Sequence, residues 1–387
     1  MFNLFIIINY FALPGLILCQ FSHLRSLDII LKIVLAVALS MIIVNISTYI
    51  SSLYFMNSFL MIVFFEILIV FVMLLFLRRS QYIVLENNID FSPTNLSLIS
   101  LILLFVISYV CYFHSTTFFH ANHDELFQIY FPAKKVWLDG RLILESMTNV
   151  DAVSLNILRD MGYAELDGHL GPLFNFIGAA YFFIGTGGDD SIFRLQHFVF
   201  YFMSALVTLL YARLNFPKLQ TYTLLAFLTF PSLIFLSTIY QYEIAVYFFG
   251  VLSLVMLKLS KLNQSIILAF IAGLIGASAM LSKEMALVYM LVVLTYLIFE
   301  EKNRSKNLVY LIAFSTCFIH ILSIGAANQI SSAQKLAYGD EVTLANSFTI
   351  LMEFIQFYFN NNVTYDLQGW GFLVAIFAPL GMYRMLQ

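Results

Sequence analysis

Long apolar runs constrain this chain more than any other feature. They fall at 4–21, 29–48, 58–77, 96–113, 194–212, 219–237, 243–258, 265–282, 285–299, 308–325 and 369–386. A helix needs roughly 17–25 apolar residues to cross a bilayer, and most of these runs reach that length. Inside hydrocarbon the backbone must satisfy its own polar groups, so only helices and closed barrels span it. Continuous apolar runs, rather than alternating ones, exclude the barrel. Only 11% of the 387 residues are charged, against about 25% in a soluble domain, which excludes a soluble enzyme. The expected fold is an all-α polytopic membrane protein with about 11 transmembrane helices and additional surface helices in the outer loops. The net charge is −3 and no basic tract points to nucleic acid. Cys19, Cys111 and Cys317 all lie inside apolar runs, so they read as packing residues rather than a disulfide framework. No Lys or Arg precedes Arg25. A signal peptide wants a positive start, so 4–21 is expected to be a retained helix.

Orientation follows from the excess of Lys and Arg in cytoplasmic loops. Arg78-Arg79 place the loop before 96–113 in the cytoplasm, and Lys302, Arg304 and Lys306 do the same for 300–307. Both assignments hold only if a further apolar run, 172–186, does not cross. It is then expected to lie on, or dip into, the outer leaflet. Arg25, Lys32, Arg213, Lys218, Lys258, Lys261 and Arg384 also fall inside under this choice. Residues 114–193 form an outer segment. Within it, Pro132 to Asp139 predicts a short helix, with Pro in its first turn and Gly140 just past its end. Its Val136, Trp137 and Leu138 are placed to lie along the membrane surface. Residues 326–368 form a second outer loop, with another surface helix expected over 348–359.

Three polar features converge on the outer side. Asp124-Glu125 follow an apolar run, Glu243 opens a helix, and Lys283-Glu284 occupy a very tight turn. A carboxylate can deprotonate an acceptor hydroxyl, and a Lys can hold a phosphate leaving group as a point charge. Together they suit a reaction on an anionic lipid. Each also has a structural reading: a helix cap for Asp124-Glu125, a first-turn charge for Glu243, and a snorkelling interfacial pair for Lys283-Glu284. Asp189-Asp190-Ser191 read as a cap for the 194–212 helix, with a metal role open. Glu66, alone in the middle of an apolar run, requires a partner in the bundle that the sequence does not name.

The string from His123 through Asp124, Glu125 and Leu126 to Tyr130, then Pro132-Ala133 and Trp137-Leu138-Asp139-Gly140, resembles the first outer loop of GT-C membrane glycosyltransferases. More narrowly, it is similar to the protein-mannosyltransferase and aminoarabinose-transferase superfamily. Gly168-His169-Leu170-Gly171-Pro172-Leu173 is similar to that family's Gly-His-Pro-Pro-Leu element, although Leu170 replaces the first Pro. Arg194 matches an Arg that opens the next span. Ile239 to Glu243 resembles the second acidic loop, with Glu where Asp is usual, and Leu281-Ser282-Lys283-Glu284 resembles a Thr-Lys-Glu turn.

The resemblance covers roughly 96–300 and divides the chain into N-terminal transmembrane helices (1–95), a catalytic module (96–325) and a C-terminal part (326–387). It implies inverting transfer of a sugar from a polyprenyl-phosphate donor to a glycan, lipid or protein acceptor outside the cytoplasm, in a bacterial inner membrane. Asp124 would be the base, with Glu125 as the alternative, and His169, Arg194, Glu243 and Lys283 would bind substrate. A divalent cation stays open as a cofactor.

Two other readings compete. An envelope polysaccharide polymerase or ligase would more often use an Arg-rich loop, and Lys335 is the only basic residue in 326–368. A transporter of lipid-linked sugars would show broken helices, paired charges at mid-bilayer and repeats, for which Glu66 is the only hint.

Overall fold

The computed structural model describes residues 2–54, 58–78, 102, 104–110, 113, 129–140, 173–189, 192–230, 243–282, 286, 293, 297 and 303–316. Among them the elements are helices and no strand: α1 (Phe2–Phe11), α2 (Leu13–Phe21), α3 (Ile29–Tyr54), α4 (Phe59–Arg78), α5 (Phe131–Asp139), α6 (Leu173–Thr186), α7 (Leu195–Asn215), α8 (Gln220–Thr229), α9 (Glu243–Leu262), α10 (Ile266–Ser282) and α11 (Arg304–Phe314). Among the described residues four helices are long and apolar enough to cross a membrane, and five if the bent pair α1–α2 is one span. The apolar runs at 369–386 and most of 285–299 lie outside the described residues, as does the surface helix expected over 348–359.

The first apolar run is broken rather than continuous. α1 and α2 meet at a 47° bend. Pro14, in the first turn of α2, has no N–H to donate to the preceding turn, and its ring crowds the carbonyl there. Just past the bend, Gly15 brings α2 backbone to backbone with α3. A Cβ on Gly15 would stand 1.9 Å from the Ala36 carbonyl oxygen, and the Gly15 N–H donates to Ser40 Oγ at 2.8 Å.

Other ends have legible causes. Asp28 Oδ2 accepts from the Ile30 and Leu31 N–H groups at 2.8 and 3.4 Å, capping α3. Asn303 Oδ1 caps α11 through Ser305 and Lys306. α5 ends at Gly140 in the left-handed conformation (φ 70°), as its sequence predicts. α6 closes on Gly187 and Gly188, both at positive φ, with Gly188 N–H reaching back to the Phe183 carbonyl at 2.9 Å.

Ring and backbone contacts fix the directions. α7 and α9 run parallel: Phe200 meets Phe248 with ring centroids 6.0 Å apart, and near the other ends Lys258 donates to the Leu214 carbonyl at 3.2 Å. Lys306 donates to the Ser260 carbonyl and to Gln264 Oε1 at 3.3 and 2.9 Å, so α11 starts where α9 ends. Phe76 and Phe270 are 5.3 Å apart, which brings the end of α4 beside the start of α10. Arg78 donates to the Phe21 carbonyl at 3.4 Å. Arg25, Lys32, Arg78, Arg213, Lys218, Lys258, Lys261, Arg304 and Lys306 therefore gather at one end of the bundle. Glu243 and Arg194 begin their helices at the other.

Of the two placements expected for 172–186, lying on the outer leaflet or dipping into it, the surface-lying one does not match α6, which is packed inside the bundle. Ala179, Ala180, Tyr181, Phe182 and Phe183 are all fully buried, with α1, α3, α5 and α10 packed around the helix. At about 1.5 Å per residue its 14 residues span roughly 21 Å, short of the ~30 Å hydrocarbon core. It runs antiparallel to α1: Ile6 is beside Gly185 and Tyr10 beside Gly178. Because α1 starts at the end opposite the basic residues, α6 occupies the half of the bundle away from them. α4 is the peripheral helix. Only a narrow stripe, Ile62, Glu66, Val70 and Leu77, is buried, at the i, i+4 spacing of one helix face.

Candidate functional site

The end of the bundle opposite the basic residues collects the features that the sequence singled out, so far as they are described. Arg194 stands at the N-cap position of α7 and is 2% exposed. Glu243 is the first residue of α9 and half-buried. The Phe200–Phe248 contact sets the register. Counting six residues back on one helix and five on the other, Arg194 and Glu243 come level at the tops of two parallel neighbours. Glu243 suits the positive end of its helix dipole. Arg194 works against its own, so its placement comes from tertiary packing rather than from the helix.

α5 packs on α6 at the same end. Tyr130 lies 5.6 Å from Phe183 and 5.9 Å from Phe193, ring centre to ring centre. Ala133 and Val136 are buried while Leu138 is exposed, so α5 has one face on the bundle and one away from it. Trp137 covers the turn after α6, and a Cβ on Gly188 would meet its ring at 2.5 Å. Lys134 donates to the Tyr130 hydroxyl at 2.6 Å and lies over that ring, 5.0 Å from its centroid. This Lys was not singled out by its sequence context.

Asp124, Glu125, His169 and Lys283 lie outside the described residues. The Asp189 N–H donates to Thr186 Oγ1 at 3.0 Å in the turn closing α6, and the N-cap position of α7 is Arg194. Asp190 and Ser191 lie outside the described residues. Among the described residues no three His, Cys, Asp or Glu side chains gather to hold a metal.

A second polar centre, of which the sequence revealed only Glu66, lies inside the bundle. Asn9 on α1 donates to Glu66 Oε2 on α4 at 2.7 Å and to the Tyr181 hydroxyl on α6 at 3.0 Å. The Tyr181 hydroxyl in turn faces the Ile6 carbonyl at 3.5 Å. Tyr10 stacks on Tyr181 with centroids 5.4 Å apart. Its hydroxyl and the Gln196 amide both crowd Gly178, at 2.1 Å and 2.9–3.0 Å from the point a Cβ would occupy. Asn45 on α3 donates to the Phe174 carbonyl at 2.8 Å. These residues come from five helices and are far apart in sequence. Asn, Gln and Tyr scattered through apolar runs carry no periodic signal, so only their convergence marks them.

Comparison with family models, with curated proteins and with solved structures finds no match to this chain.

Proposed function

We propose that this chain is a membrane glycosyltransferase of the GT-C kind. It has about eleven spans, its basic end in the cytoplasm of a bacterial inner membrane and its reacting end outside. It moves a sugar from a polyprenyl-phosphate donor to an envelope acceptor. The observation that carries this reading is the level placement of Arg194 and Glu243 at the end opposite the basic residues, with α5 packed at the same end. The element that follows the Asp124-Glu125 string in sequence, α5, thus lies at the same end as the two described candidates. In this reading one of Asp124 and Glu125 deprotonates the acceptor hydroxyl. Lys283 and Arg194 offset the charge of the leaving polyprenyl phosphate, and His169 and Glu243 contact the sugar.

The test is transfer in membranes from a panel of labelled polyprenyl-phosphate sugars. Asp124→Asn keeps size and capping ability but removes the basic oxygen. It is expected to lower transfer by at least about 10²-fold, the low end for a lost general base, with donor binding retained. Loss in Glu125→Gln instead swaps the two roles. Unchanged transfer in both variants rejects the acidic pair as catalytic.

A carrier of lipid-linked sugars is the second reading. It is favoured by the bend in the first apolar run next to the buried Asn9–Glu66 contact, since broken helices and buried polar groups mark transport sites. Asp124→Asn leaves such a carrier intact.

A further inference from the structure

Glu66 is 4% exposed, and its one hydrogen bond comes from a neutral amide. Its other oxygen, Oε1, is buried with no partner. A buried carboxylate without a cation is costly, by several kcal/mol even after relaxation, and in a membrane bundle such a group marks an ion or proton site. Among the described residues, the titratable groups on the surrounding helices do not supply the charge. Tyr10 on α1, Tyr49 on α3 and Tyr181 on α6 are phenols. Cys19 on α2 meets Lys32 of α3 at the basic end of the bundle, and Arg78 of α4 is bound there to the Phe21 carbonyl.

Neutral oxygens, by contrast, are present at this depth. The Tyr10 hydroxyl lies beside the Asn45 side chain, yet neither that hydroxyl nor Asn45 Oδ1 has a partner in hydrogen-bonding geometry. Ser47 and Thr48 are fully buried, also with unpartnered hydroxyls. Counted from the facing ends of α3 (Tyr54) and α4 (Phe59), Ser47 and Glu66 each lie seven residues in, roughly 10 Å at 1.5 Å per residue.

We propose that Glu66, with Asn9 and Tyr181, forms a site for one monovalent cation, a sodium ion or a proton. One carboxylate calls for one positive charge, and a divalent ion would leave a surplus buried. Hydroxyl, amide and carboxylate oxygens are the hard ligands such cations take. The site joins α1, α4 and α6 next to the bend between α1 and α2, so occupancy stiffens that junction. It is independent of the transferase reading and requires no sugar.

The full chain in lipid nanodiscs tests it. Thermal unfolding is followed in sodium chloride and in choline chloride at equal ionic strength, from pH 5 to pH 8. A ligand bound only by the folded state raises the midpoint. If sodium is the occupant, it raises the midpoint at pH 8 and less at pH 5, where protons compete. Asn9→Ala then weakens the half-saturating sodium concentration about tenfold or more, and Glu66→Gln removes the effect. If the proton is the occupant, sodium is without effect, and lowering the pH raises the midpoint in the wild type but not in Glu66→Gln. Equal salt and pH responses in wild type and Glu66→Gln overturn the proposal. Should Glu66→Gln not fold, a hydrophobic carbodiimide is applied to the wild type. Labelling at Glu66 that sodium or raised pH suppresses supports the site, and labelling indifferent to both overturns it.

Discussion

The Asn9 side-chain amide bridges Glu66 Oε2, 2.7 Å away, and the Tyr181 hydroxyl, 3.0 Å away. The bridge ties α1 to α4 and α6, helices 57 and 172 residues distant in sequence. α4 turns most of its surface away from the protein, and Glu66 is the one polar group on its buried stripe.

Removing the amide should therefore be worse than removing both groups. Asn9→Leu leaves a buried carboxylate without its donor and is expected to cost about 1–3 kcal/mol. The double variant Asn9→Leu/Glu66→Leu is expected to cost less than Asn9→Leu alone, because no orphaned polar group is left. Unfolding in mixed micelles measures both. A double variant that loses the sum of the two single losses would show that the contact is not energetically coupled.

Two glycines should respond differently to the same small change. At Gly15 a Cβ meets the Ala36 backbone at 1.9 Å, and backbone cannot swing aside. Gly15→Ala is expected to force α2 from α3 and lower stability by roughly 1–3 kcal/mol. At Gly140 nothing lies within 4 Å, but φ is +70°. Gly140→Ala there incurs only the left-handed penalty of about 1–2 kcal/mol, and Gly140→Asn less. Recovery by Asn at 140, and none by any residue at 15, is the distinguishing result.

The basic end of the bundle and the turn after α6 should label from opposite sides. Gly187 and Ser305 are both exposed. In a background without the three native cysteines, Gly187→Cys and Asn149→Cys are expected to react with an impermeant thiol reagent on intact cells. Ser305→Cys is expected to react only after permeabilisation. Labelling of Gly187→Cys from the Ser305 side would mean that α6 separates 149 from 187 as a true span.

Lys306 is 2% exposed, yet it bonds the Ser260 carbonyl and the Gln264 side chain. It ties α11 to the turn between α9 and α10, where Gln264 has φ 50°. Lys306→Met keeps the length of the side chain but takes the Lys306 donor from Gln264 Oε1 and from the Ser260 carbonyl, which keeps the Ser265 N–H. The expected loss is about 1–3 kcal/mol, against little change for the exposed neighbour Arg304→Met.

Among the described residues, the helical class, the extents of α4, α7 and α10 and several helix ends were legible in the sequence, because each is a local matter. An apolar run of span length must be helical in lipid. Pro132 and Gly140 mark a short helix by conformational preference alone, and the structure ends α5 at Gly140. The gathering of basic residues at one end was legible for the same reason, since charge alternates from loop to loop along the chain. The tertiary structure decided what depends on neighbours. It buried α6, which composition alone does not distinguish from a surface helix, because α1, α3, α5 and α10 close around it. It broke the first apolar run at Pro14, where Gly15 docks on α3. It also supplied Glu66 with Asn9 and Tyr181, which no spacing connects. Hydropathy records how each segment meets lipid. Which buried polar groups meet one another is set by packing between helices, and that is absent from any single run.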